Sequence, residues 1–185
     1  MQIPPIPSWD AIHPLVIHFP IVLLLLTPLF IVIAAALRPP RNVPYMVAAL
    51  IVLLLGTGSL FAAASSGEEA AELAERGGAM ESVLNAHEHL ATRTEITFSV
   101  LSLLFLGLFL WPRIAKRAET RITSTVLPLG FLALYLVGTA SLVHTAHAGG
   151  RLVHEFGVHA IMPSQSGEVT NSPSKPNASQ KEDSD

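Results

Sequence analysis

The sequence predicts an all-α fold: a four-helix transmembrane bundle, up-down-up-down, with a short extracytoplasmic helical cap and a disordered C-terminal tail. Three observations predict it. Half of the 185 residues are hydrophobic, 14% are charged and the mean hydropathy is +0.50, a composition that soluble domains of this size do not show. The apolar residues are gathered into four long runs. Successive loops between those runs alternate between basic and acidic.

Leu15 to Leu37 is a 23-residue run without a charge. It exceeds the roughly 20 apolar residues that cross a bilayer core. Pro14 suits the first turn of this helix, whereas Pro20 and Pro28 predict kinks within it. Tyr45 to Ala64 forms the second run. The third, Ile96 to Trp111, is shorter, but the polar segment Asn85 to Glu95 contains no helix breaker and extends it, giving a span of about 84–111. The fourth, Ile122 to Val143, extends to about residue 147 and has Pro128 near its start. Residues 1–160 thus form one transmembrane domain with spans near 15–37, 45–64, 84–111 and 122–147.

Between the second and third spans, Glu68 to Glu75 is helical by propensity, Gly77 and Gly78 interrupt it, and Met80 to Arg93 restarts a helix that merges into the third span. That segment is the expected cap. Gly149-Gly150 reads as a break after the fourth span, leaving His154 and His159 in a short interfacial segment. The tail, residues 163–185, is rich in Ser, Pro, Asn, Lys and Asp and has almost no large apolar residue, which predicts disorder.

Charge sets the expected orientation. Arg38 and Arg41 lie in the first loop, and Arg113, Lys116, Arg117 and Arg121 in the third. Short loops rich in Lys and Arg stay cytoplasmic. The second loop carries Glu68, Glu69, Glu72, Glu75, Glu81, Glu88 and Glu95 against Arg76 and Arg93, and so faces outward. Both termini are then periplasmic in a bacterial inner (plasma) membrane. No basic segment precedes the first run and no small-residue cleavage site closes it, which reads as an uncleaved anchor.

Several chemistries are excluded. Without cysteine there is no disulfide, c-type haem attachment, iron-sulfur cluster or thiolate metal site. Hydrolase, zinc-protease, phosphate-loop and dinucleotide signatures are absent, and no feature points to nucleic acid. No charge sits mid-span and no internal repeat is evident, which speaks against a channel or transporter.

Histidines are the remaining signal. Of eight, five gather toward the outer face: His18 in the first span, His87 and His89 before the third, and His144 and His147 closing the fourth. Imidazoles at membrane depth are uncommon and usually functional. Gly138, Ser141, His144 and His147 step by three, and Gly56, Ser59 and Ala63 form a second stripe of small residues, leaving room for close approach or a flat ligand. His87 and His89 lie about 200° apart around a helix, so one of them faces inward. His13 sits at the helix mouth, with His18 about 7 Å deeper.

Two inward imidazoles at similar depth are how helical bundles hold b-type haem. His18, His87 and His144 are the first candidates for the iron, His18 with His144 the preferred pair, and His147 and His13 further candidates. A non-haem site for Cu, Zn or Fe is the alternative, drawing on these histidines with Glu88 or Glu95 as a ligand, or with Glu88 hydrogen-bonded behind a ligating histidine. A third reading makes the imidazoles interfacial residues that satisfy helix ends in a structural or assembly subunit. Burying an unpartnered ring costs a few kcal/mol, which weighs against this for His18.

The run His13-Pro14-Leu15-Val16-Ile17-His18-Phe19-Pro20, with His87-Glu88 and Gly149-Gly150-Arg151-Leu152-Val153, resembles the bacterial membrane-protein family known as domain of unknown function 2231. The likeness covers residues 11–158. It implies a four-helix inner-membrane domain, sometimes found beside cytochrome c-like modules, and no established activity. Its motif falls on His13, His18, His87, Glu88, Gly149 and Gly150. The expected function is that of a b-type cytochrome-like protein passing electrons between a quinol and a periplasmic cytochrome, or serving as one subunit of a membrane complex.

Overall fold

A computed structural model describes residues 11–72, 77–116 and 120–158. Helix α1 (His13–Val16) and helix α2 (His18–Ala36) make the first span, α3 (Val43–Glu72) the second, α4 (Gly78–Ile114) the third, and a π-helical turn (Ile122–Val126) followed by α5 (Leu127–Phe156) the fourth. All four spans are long and apolar enough to cross a membrane. No strand occurs among the described residues. The expected disordered tail at 163–185 lies outside them, as does His159.

Each helix packs on its sequence neighbours, and α5 closes the ring against α2. The result is the expected up-down-up-down bundle. Its core is Leu24, Ile31, Ala49, Leu53, Phe98, Phe105, Phe131 and Tyr135. Outside it stands a belt of exposed apolar side chains such as Leu103, 70% exposed, and Leu136, 62% exposed. Such a surface calls for lipid rather than water as its solvent.

The elements differ from the sequence reading at four places. The first span is broken at Ile17, because Pro20 has no amide to offer the Val16 carbonyl and its ring crowds that turn. Helix α3 runs on to Glu72 through a segment rich in Ala, Ser and Glu, so the first part of the expected cap continues the second span, while residues 73–76 of it lie outside the described residues. Helix α4 starts at Gly78 itself, with φ +58°. Helix α5 passes through Gly149-Gly150 without a break and ends at Gly157, whose φ of +66° is the left-handed C-terminal cap that glycine supplies. His154 therefore belongs to α5.

An internal correspondence joins the hairpins α2/α3 and α4/α5, although none was expected. An offset of 74 residues, from 13 to 87, carries buried Pro20, Leu24, Thr27 and Ile31 onto buried Thr94, Phe98, Leu101 and Phe105. A second offset of 82, from 67 to 149, carries buried Met46, Ala49, Leu53 and Gly56 onto buried Pro128, Phe131, Tyr135 and Gly138. In each hairpin a glycine lets the helices close: a Cβ on Gly56 would lie 2.7 Å from Leu24 Cδ2, and one on Gly138 2.8 Å from Leu101 Cδ1.

Candidate functional site

The ends of α3 and α5 and the beginnings of α1 and α4 surround a cavity of about 620 Å³. Its wall includes His13, His87, Glu88 and Thr145, with Leu60, Leu84 and Leu142 as apolar lining. This is the end of the bundle that carries the glutamate-rich connection between α3 and α4.

His13 and His87 are held in the same way. His13 Nδ1 lies 2.9 Å from the Ala63 carbonyl oxygen and 3.1 Å from Ser66 Oγ. The Ser66 hydroxyl gives its own proton to the Ala63 carbonyl at 3.0 Å, so both neighbours accept from the imidazole. His87 Nδ1 lies 3.1 Å from the Thr145 carbonyl oxygen. A carbonyl only accepts, so each neutral ring carries its proton on Nδ1 and keeps its lone pair on Nε2. Neither Nε2 has a hydrogen-bond partner among the described residues.

Glycines make the seats. A Cβ on Gly67 would lie 2.9 Å from His13 Cε1, and one on Gly149 3.0 Å from His87 Cε1. In both cases the accepting carbonyl sits four residues before the glycine, one helical turn below it. The rings lie flush against α3 and α5 because these positions have no side chain.

A closed set of hydroxyls underlies the His87 seat. Thr145 donates to the Ser141 carbonyl at 3.0 Å, which commits its one proton. Thr94, buried at 1% exposure, then donates to Thr145 Oγ1 at 2.8 Å and accepts from Ser141 at 2.7 Å. Deeper, Thr57 and Ser102 pair at 2.8 Å between α3 and α4. Each of these hydroxyls has a partner within the protein.

Charge on the described part of the cavity wall is of one sign. Glu68, Glu72, Glu88 and Glu95 line it, and among the described residues no Lys or Arg does. The ion pair formed by Arg151 and Glu155, bidentate at 2.8–3.0 Å, lies outside on the exposed face of α5.

Of the residues that the sequence proposed, His13, His87 and Glu88 come together at this cavity, with His89 exposed at its rim. His18, His144 and His147 are exposed and do not line it. Geometry explains the difference. Five residues turn a helix by about 140°, so His13 and His18 cannot share a face even before the break at Ile17. A stripe stepping by three drifts about 60° per step, so from Gly138, which is buried, it has turned by about 120° at His144 and 180° at His147. The inward face of α5 follows Tyr135, Gly138, Leu142 and Thr145 instead. Gly67 and Ser66 were missed; the matching His13/Gly67 and His87/Gly149 pairs were the available signal.

The family model described as "Predicted membrane protein (DUF2231)" matches residues 9–161, and the chain belongs to that family. No curated protein and no solved structure matches it.

Proposed function

We propose that this family member is a b-type haem-binding membrane protein in which His13 and His87 would hold the iron. The observation that carries the reading is the pair of imidazoles in one cavity, each with Nδ1–H tied to a backbone carbonyl and with no partner for Nε2 among the described residues. Metal-ligating histidines are oriented by such a bond on the other ring nitrogen, which also raises their basicity. The donor set also fits in number. No group of three His, Cys, Asp or Glu able to hold a metal ion occurs among the described residues, and low-spin haem asks the protein for two ligands only.

When bound, haem supplies a reversible one-electron centre. The chain's own part is to orient both imidazoles, exclude water with the Leu60, Leu84 and Leu142 wall, and keep the site at one membrane face. The acidic connection beside the cavity belongs outside by the charge rule. A periplasmic acceptor would then receive electrons that a quinol delivers from the bilayer. His18 and His144, the pair preferred on sequence grounds, have no role in this assignment.

One observation favours a second reading, a site for a Cu, Zn or Fe ion. Four glutamates and, among the described residues, no Lys or Arg line the cavity, a field that draws cations and gives the carboxylates of haem no Lys or Arg partner there. Pyridine haemochrome and metal analysis on one detergent-purified sample separate the two. Stoichiometric haem supports the first reading, bound metal without haem supports the second, and neither of them survives a sample free of both.

A further inference from the structure

We propose that the cavity is a duplicated site, half of it built by each hairpin, and that Gly67 and Gly149 are the positioning residues that present two Nε2 donors to one shared electron-pair acceptor. The identity of that acceptor rests on the haem reading; the duplication does not.

The repeated unit is a histidine on one helix, a carbonyl on the helix that returns beside it, and a glycine one turn above that carbonyl. In the first hairpin these are His13, Ala63 and Gly67; in the second, His87, Thr145 and Gly149. The two offsets that relate them are the ones that relate the buried core, so the half-sites belong to the repeat of the whole fold. The remaining histidines are outside it. The positions equivalent to His18, His144 and His147 are Thr92, Ala62 and Ser65.

Each glycine does for its ring what packing alone would not. A methyl group at 2.9–3.0 Å from Cε1 forces the imidazole away, because real carbon contacts are longer. The ring is the movable partner, since the other side is helix backbone. Displacing it breaks the bond from Nδ1–H that fixes the tautomer, and the lone pair then has no defined direction. Gly56 and Gly138 repeat with the same offset but seat Leu24 and Leu101, about 16 Å deeper along the helix. They serve packing only.

The test is nitrogen NMR of the cofactor-free, full-length protein in detergent, labelled at histidine, on the wild type and on Gly67→Ala, Gly149→Ala, Gly56→Ala and Gly138→Ala. His13 and His87 should both appear as Nδ1–H tautomers in the wild type. Gly67→Ala should remove that signature from His13 alone and Gly149→Ala from His87 alone. The two deeper variants should lower stability and leave both signatures in place. An Nε2–H tautomer at either residue in the wild type overturns the proposal whatever the variants do. So does a Gly67→Ala or Gly149→Ala protein with both signatures unchanged. Because this is read without cofactor, a wild type with both signatures that takes up no haem removes the haem reading and leaves the duplicated site standing.

Discussion

The hydroxyl of Tyr135 donates to the carbonyl oxygen of Leu24 at 2.7 Å. In a regular helix that carbonyl would accept from the amide of residue 28, and residue 28 is a proline. The buried aromatic on α5 thus replaces the bond that α2 cannot make, and Phe98 and Phe131 hold its ring at centroid distances of 5.4 and 5.9 Å. One side chain satisfies a defect in the first hairpin while packing the second. Tyr135→Phe should cost about 1–3 kcal/mol, the cost of a buried carbonyl left without a partner. Unfolding in a denaturing detergent series measures it. In a Pro28→Ala background, where the helix regains its own donor, the same change should cost less.

Thr94 is another polar joint between helices. Thr94→Val keeps the shape but removes the donor to Thr145 and the acceptor for Ser141. A loss of roughly 1–3 kcal/mol in unfolding free energy is expected. Ser99→Ala is the control, since that half-buried hydroxyl bonds only within its own helix, to the Glu95 carbonyl; its loss should be well under half as large.

The membrane topology can be read chemically because the chain has no cysteine. Single cysteines replacing exposed Ser82 and Thr120 sit at opposite ends of the bundle. An impermeant maleimide added to intact spheroplasts should label Ser82→Cys and leave Thr120→Cys unlabelled until the membrane is opened. The reverse pattern would place the cavity on the cytoplasmic side and remove the periplasmic acceptor.

Haem held as proposed should brace the two hairpins against each other, since His13 lies on α1 and His87 on α4. Saturating haem at one hundred times its dissociation constant stabilises a folded protein by about 2.7 kcal/mol. The melting temperature of the wild type should rise on haem addition, and that of His87→Ala should not.

Much of the fold was legible because bilayer thickness imposes long apolar runs that no packing detail can disguise. The loops were legible for the same reason: they are where charge collects. Which histidines face inward was not, because the choice between His13 and His18 turns on helical phase, and the break at Ile17 resets that phase. Depth favoured His18; phase, the break at Ile17 and the seat at Gly67 select His13. The repeat was hidden because its core positions keep burial and not identity, as with Leu24 and Phe98 or Ala49 and Phe131, while lipid-facing residues are free to differ. Gly149 misled for a related reason. It reads as a helix breaker, yet α5 runs through it because His87 occupies the space beside it.

The most direct test of the haem assignment is a dithionite-reduced minus oxidised spectrum of protein produced with ample haem, recorded for the wild type and for His13→Ala, His87→Ala, His18→Ala and His144→Ala. The account predicts a sharp bis-histidine haem band in the wild type and in the His18 and His144 variants, and its loss in both the His13 and His87 variants. A flat wild-type spectrum, or a full complement of haem in the His13 and His87 variants, would contradict it.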